Sequence, residues 1–69
     1  MTINELIENT IELHDAKVNY LNSLKNPCIS TESVLHAEIE GIRCVLRMYY
    51  SESKGEYFRV DKNGYAIRT

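Results

Sequence analysis

The chain has 69 residues, 43% of them hydrophobic, and a net charge of −2. This length allows one small domain, 1–69, and below about 70 to 80 residues a single core seldom suffices without a disulfide, a metal or a second subunit. The acidic balance excludes a general polyanion binder, which needs a net basic surface. No stretch approaches the roughly 18 apolar residues of a membrane span, and the N-terminal residues lack the pattern of a signal peptide, so we expect a cytoplasmic protein.

The first predicted element is an amphipathic helix over about residues 3–25. Thr2 and Glu5 have the spacing of a capping box, in which the threonine hydroxyl accepts a hydrogen bond from a free amide of the first turn. Apolar side chains recur on one face of this helix, and acidic and amide side chains cluster opposite. Pro27 disfavours helical geometry at Asn26, so the helix should end just before this pair.

Three polar residues, Thr10, His14 and Lys17, interrupt the apolar face of the first helix. A dry core does not accept such side chains without partners. In one interpretation, these residues form a polar cluster inside an interface. In the other, Thr10 and His14 form local hydrogen bonds, and the Lys17 side chain extends past its neighbours to water. We favour the second interpretation.

The second predicted element is a helix over about residues 31–52, with Ser30 as its N-cap and Gly55 in a left-handed conformation just after its end. Its apolar residues cover an arc of about 240°, whereas one neighbouring helix covers about 100°. The excess must be covered by a hairpin, a second subunit or a partner protein, and we predict a homodimer. The predicted dimer interface consists of residues of this helix: Ile39, Ile42, Leu46, Tyr49 and Tyr50.

The last predicted element is a β-hairpin over about residues 56–69. A four-residue loop with a left-handed glycine sets Val60 against Tyr65. Phe58 then faces Ile67, and these four side chains form one apolar face. A lone hairpin is marginal in water, so this face should pack on the helices or join a partner's sheet. The predicted fold class is therefore α+β: two antiparallel amphipathic helices followed by a C-terminal β-hairpin, in a homodimer.

No motif in the sequence predicts catalysis. His36 and Glu40 lie one helical turn apart, but the neighbouring Arg43 and Arg47 would repel a metal ion, and the histidines and cysteines lack the short spacings of zinc sites. The sequence holds no nucleophile elbow, phosphate-binding glycine loop or dinucleotide fingerprint. We therefore expect no enzyme, no metal and no cofactor.

The remaining candidate for a binding site is a set of arginines and one tyrosine in the second half of the chain. Planar arginine and rigid tyrosine side chains are favoured at interface hot spots. The same side chains can stack on bases or contact phosphates, so a small nucleic-acid-binding regulator is the alternative. The predicted partner-binding residues are Arg43, Arg47, Tyr57, Arg59 and Arg68.

These features predict a small protein-binding module that regulates or inhibits another macromolecule. Very short dimeric chains without motifs are often accessory proteins of phages or other mobile elements, and we expect an inhibitor of a host or defence factor. The expected partners are a second copy of the chain and one further protein, with no membrane.

Overall fold

The fold is a hairpin of two antiparallel α-helices. The computed structural model describes residues 1–55 and 57–67. Helix α1 spans Ile3–Ser23 and helix α2 spans Ile29–Glu52, and the two pack side by side along their length. In the described part of the chain, no helix combines the length and the apolarity that crossing a membrane requires.

Helix α1 begins and ends where local signals predict. The Thr2 hydroxyl accepts a hydrogen bond from the Glu5 amide at 3.1 Å, which is the predicted N-cap contact. The helix ends at Ser23, and Asn26 then adopts a left-handed φ of 52° immediately before Pro27. Asparagine tolerates this conformation better than most residues, so these two residues help to reverse the chain between the helices.

Helix α2 ends at Glu52 as predicted, but its start and both of its cap residues differ from the prediction. It begins at Ile29, with Cys28 rather than Ser30 as the N-cap residue and no side-chain cap hydrogen bond. At its C-terminal end the Gly55 amide donates to the Tyr50 carbonyl at 2.8 Å, and Lys54 has a φ of 60°. This is the pattern of a Schellman cap. The left-handed position belongs to Lys54, one residue before the predicted glycine.

Replacing Lys54 by glycine should therefore raise the free energy of unfolding by about 1 kcal/mol, because glycine adopts a left-handed φ without the clash that a Cβ atom causes. Urea unfolding followed by circular dichroism measures the change. Lys54→Ala is the control, since it removes the charge but keeps the Cβ atom. Equal stability of the glycine and alanine variants would contradict this explanation.

Residues 57–67, which we name the C-terminal segment, do not form the predicted β-hairpin. The described residues contain two helices and no β-strand, so the α+β prediction is wrong and the fold is all-helical. One isolated antiparallel bridge joins Val60 to Ala66. Five residues separate this pair rather than four, with Gly64 left-handed at a φ of 91°. Glu56, Arg68 and Thr69, which the predicted hairpin also included, lie outside the described residues.

Side chains bind the backbone of the C-terminal segment, in addition to the backbone hydrogen bonds on either side of its one bridge, from Asp61 to Tyr65 and from Ile67 to Arg59. The Asp61 carboxylate accepts hydrogen bonds from the amides of Asn63 and Tyr65 at 2.8 and 3.0 Å. The Ala66 amide donates to the Asp15 carboxylate of α1 at 2.9 Å. Short polar side chains that bind backbone amides compete with sheet formation, and here they leave a single bridge.

The core lies between the two helices and the C-terminal segment. Phe58 is buried and packs with Ile7, Ile11 and Leu46. The predicted apolar face of the hairpin is otherwise broken up, because Val60 is 36% exposed and Ile67 is 43% exposed. Ala66 rather than Tyr65 lies opposite Val60 and packs against the core, so Ile67 falls on the other face of the extended chain. The buried apolar residues are Ile7, Ile11, Val18, Leu35, Ile39, Leu46 and Phe58.

Candidate protein-interaction surface

The helix hairpin has two broad faces, and the C-terminal segment covers only one of them. The other face carries apolar side chains that are between 38% and 70% exposed. We name it the open face. It consists of Leu13, Lys17 and Tyr20 of α1 and of Val34, Glu38, Gly41, Val45 and Met48 of α2.

The open face follows a heptad pattern on both helices. Its positions on α2 are 34, 38, 41, 45 and 48, and its positions on α1 are 13, 17 and 20, so spacings of four and three residues alternate. The buried positions 35, 39 and 46 of α2 and the half-buried position 42 form a second such seam, one residue further along. Two adjacent apolar seams on one helix are typical of helix bundles, in which each helix contacts two neighbours.

A groove of about 430 Å³ runs between the helices on the open face. It opens above Gly41, where an added Cβ atom would meet no atom within 4 Å. Lys17 forms an ion pair with Glu38 across the groove, and their side chains are 31% and 41% exposed. Because these are the only two charges of the open face, the surface is mainly apolar and carries no net charge.

The opposite face is held by a buried polar network centred on His14, whose side chain is fully buried. Its Nε2 atom lies 3.0 Å from Arg43 Nε, and its Nδ1 atom lies 2.8 Å from Asp15 Oδ1. Arginine can only donate hydrogen bonds. His14 Nε2 therefore accepts, and Nδ1 carries the proton that is donated to Asp15. The His14 ring also packs edge-on against Phe58, with ring centroids 5.2 Å apart.

This network connects both helices to the C-terminal segment. Arg43 Nη2 donates to the Gly64 carbonyl at 3.2 Å, and Arg43 Nη1 forms an ion pair with Glu40 at 3.1 Å. Asp15 accepts from the Ala66 amide on the other side of the ring. Within the described part of the chain, no buried side-chain nitrogen or oxygen lacks a hydrogen-bond partner. The network is thus a complete structural connection between three parts of the fold.

The three polar residues that interrupt the apolar face of α1 have different kinds of partner in the structure. The Thr10 hydroxyl donates to the Leu6 carbonyl at 2.7 Å, which is the predicted local hydrogen bond. His14 combines a local partner with a distant one, Arg43, and so lies in a polar cluster within one chain. Lys17 does not only extend to water, since it pairs with a carboxylate of α2.

The predicted partner-binding residues do not form one cluster. The Arg43 side chain is only 20% exposed, and its donors are engaged inside the fold. Arg47, Tyr57 and Arg59 are exposed, and Tyr57 retains 84% of its accessible surface. Arg68 lies outside the described residues. A partner-binding role therefore stays a prediction for the exposed residues. The Arg43 side chain instead connects α2 to His14 and to the C-terminal segment.

Most of the residues predicted for the dimer interface pack within the fold of a single chain. Ile39 and Leu46 are 3% and 0% exposed, so a second copy cannot reach them in this fold. Ile42, Tyr49 and Tyr50 are half-buried and pack against the core. The apolar surface of α2 that remains accessible lies on the open face. Sequence reasoning missed this surface because it could not tell which part of the apolar arc the C-terminal segment covers.

Cys28 is the one titratable group whose pKa departs clearly from its usual value among the described residues. It precedes α2, and its Sγ atom lies 3.3 Å from the Ser30 hydroxyl and 2.9 Å from the Thr31 hydroxyl. These hydroxyl groups stabilise the thiolate and lower the pKa of the Cys28 thiol from 9.0 to about 7.

We expect Cys28 to be alkylated rapidly at neutral pH, since the thiolate is the nucleophile and its fraction rises as the pH passes the pKa. In a Cys44→Ser variant, the rate of reaction with iodoacetamide should rise with a midpoint near pH 7. Replacing both Ser30 and Thr31 by alanine should move this midpoint upward. A midpoint near 9.0 in the parent chain would show that the hydroxyl groups do not act on the thiol.

Among residues 1–55 and 57–67, no three His, Cys, Asp or Glu side chains lie close enough together to hold a metal ion. Glu40, the neighbour of His36 on the sequence pattern, is paired with Arg43 instead. No protein family, curated protein or solved structure matches this chain.

Proposed function

We propose that the chain is a non-enzymatic protein-binding module that regulates or inhibits another macromolecule, and that its open face is a protein-binding surface. The observation that carries this proposal is the row of exposed apolar side chains on one side of a short chain. Leu13, Tyr20, Val34 and Met48 are each more than half exposed. Monomeric soluble proteins seldom leave a large continuous apolar patch without a partner.

The dimensions of the open face suit a protein partner. The molecule measures 39 × 19 × 19 Å, and the open face occupies one of its long sides. A specific interface of standard size covers about 800 Å² of each partner, which is close to the area of such a side. Interface centres are depleted in charged residues, and the open face holds only the paired Lys17 and Glu38.

A protein partner is favoured over nucleic acid because the arginine cluster is incomplete. Arg43 is committed to His14 and Gly64 inside the fold, which leaves Arg47 and Arg59 as the exposed arginines among residues 1–55 and 57–67 of a chain with a net charge of −2. Nucleic-acid affinity depends on several cations that together neutralise phosphates. Arg47, Tyr57 and Arg59 are proposed as secondary contacts for a protein.

We propose the cytoplasm as the compartment. Cys28 and Cys44 are both free and exposed. Free thiols persist in reducing compartments, whereas oxidising compartments favour disulfides.

Site-specific photo-crosslinking tests the proposal. A benzophenone amino acid at position 48, on the open face, should give a discrete covalent adduct with a protein in extracts of the organism from which the sequence comes. The control carries the same group at position 33, an exposed position of α2 away from the open face. An adduct from position 48 and none from position 33 supports the proposal. Equal labelling from both positions, or none from position 48, would contradict it.

A further inference from the structure

We propose that the occupant of the open face is a second copy of this chain, related by a two-fold axis that runs parallel to the helices. The result is a four-helix bundle with both C-terminal segments on the outside. This inference rests on the proposed function, because it names the protein that the open face binds. Shape, charge and the position of one glycine argue for it.

The shape of the open face is complementary to itself. Leu13 is the middle residue of α1 and is 51% exposed, so it projects from the surface. Gly41 lies at the middle of α2, beside Leu13, and forms a hollow in the groove. A two-fold axis parallel to the helices sets Leu13 of each copy above Gly41 of the other, as a knob in a hole. An axis perpendicular to the helices would instead set Leu13 against Leu13 and leave the hollow empty.

The positions of the two charges on the open face also favour a two-fold axis parallel to the helices. Lys17 lies one turn after Leu13, and Glu38 lies one turn before Gly41, so the two charges are level with each other and pair within one chain. The axis parallel to the helices brings Lys17 of each copy to Glu38 of the other. The four charges then alternate in sign, which is favourable. A face without net charge also avoids repulsion between two chains of net charge −2.

The glycine in the middle of α2 has no explanation within one chain. Glycine weakens a helix interior relative to alanine, and an added Cβ atom at Gly41 would meet nothing within 4 Å. Glycine is explained if the backbone or a side chain of another chain approaches closely at this point, where a larger residue would block the contact. The same conclusion follows from size, because the cluster of buried apolar residues is small and chains this short often gain stability from a second subunit.

The test compares the mass in solution of the wild-type chain with those of Gly41→Lys and Ser33→Lys. Gly41→Lys fills the hollow and places a charge in the apolar contact, yet its Cβ atom meets no atom of its own chain within 4 Å. Ser33→Lys adds the same charge at an exposed position outside the open face. Sedimentation velocity should show twice the 8.0 kDa mass of one chain for the wild type and for Ser33→Lys. Gly41→Lys should dimerise at least about 30-fold more weakly, because it buries an unpaired charge.

Circular dichroism must show that Gly41→Lys keeps the helical content of the wild type, and if it does not, Leu13→Lys replaces it with the same expected result. A wild-type chain that stays at 8.0 kDa overturns the inference, provided that it is measured up to about 100 µM, where a dimer of micromolar Kd would form. Unchanged dimerisation of the folded lysine variant also overturns it. A monomer whose position 48 crosslinks to a different protein refutes the dimer but leaves the proposed function intact.

Discussion

Replacing Phe58 by alanine should lower the free energy of unfolding by about 3 to 5 kcal/mol, the range for a buried phenylalanine. Phe58 is the buried apolar anchor of the C-terminal segment, and it packs on Ile7, Ile11, Leu46 and the edge of His14. A single core in a chain of this size seldom supplies more than about 3 to 5 kcal/mol. The variant should therefore be largely unfolded in water at 25 °C, as measured by circular dichroism and urea titration.

Tyr57→Ala is the matched control for Phe58→Ala. It removes an aromatic side chain at the adjacent position, but Tyr57 is 84% exposed, so stability should change by no more than about 0.5 kcal/mol. Similar losses in the two variants would mean that the C-terminal segment is not anchored by Phe58. A Phe58 variant as stable as the wild type would show that the segment is not part of the core.

The second large effect is expected for Arg43→Met, which should cost about 2 kcal/mol, the penalty for leaving buried polar groups without partners. The substitution keeps an extended side chain but removes the donors to His14 Nε2 and to the Gly64 carbonyl. Urea unfolding measures the loss.

Arg47→Met is the control for Arg43→Met, because Arg47 lies one helical turn further on and is exposed. It should change stability by less than about 0.5 kcal/mol. Equal effects of the two substitutions would contradict the separation between a structural Arg43 and a surface Arg47.

The parts of the fold that depend on local chemistry can be predicted from the sequence. Thr2 caps α1 through the amide three residues later, and Pro27 follows a non-helical Asn26. Both signals involve neighbouring residues and standard backbone preferences. The helix bounds consequently fall within about two residues of the prediction, which is the ordinary uncertainty of helix ends.

The C-terminal segment could not be predicted because some of its hydrogen bonds are made with distant residues of the two helices. Asp15 looks like one more acidic residue on the outer face of α1, but its carboxylate binds the Ala66 amide. Arg43 looks like part of a solvated stripe, but it binds the Gly64 carbonyl. An alternating sequence predicts a strand only when its backbone groups are free to pair with another strand.

The sequence predicts that α2 has apolar surface left over, but it does not predict where on the helix that surface lies. The wide apolar arc of α2 correctly indicates more apolar surface than α1 alone can cover. Phe58 covers the side of the arc next to Tyr50, with ring centroids 6.1 Å apart, and Val45 and Met48 remain exposed on the other side. The division of the arc depends on where the C-terminal segment packs, which is a property of the tertiary structure.

A concentration series of ¹⁵N–¹H correlation spectra tests most directly whether the open face binds a second copy. Between about 10 µM and 1 mM, a range that spans micromolar dissociation constants, the amide signals of residues 13, 17, 41 and 45 should shift together. Signals of residues 47, 57 and 59 should stay constant. Shifts confined to these last three residues, or no concentration dependence with a mass of 8.0 kDa throughout, would contradict the account.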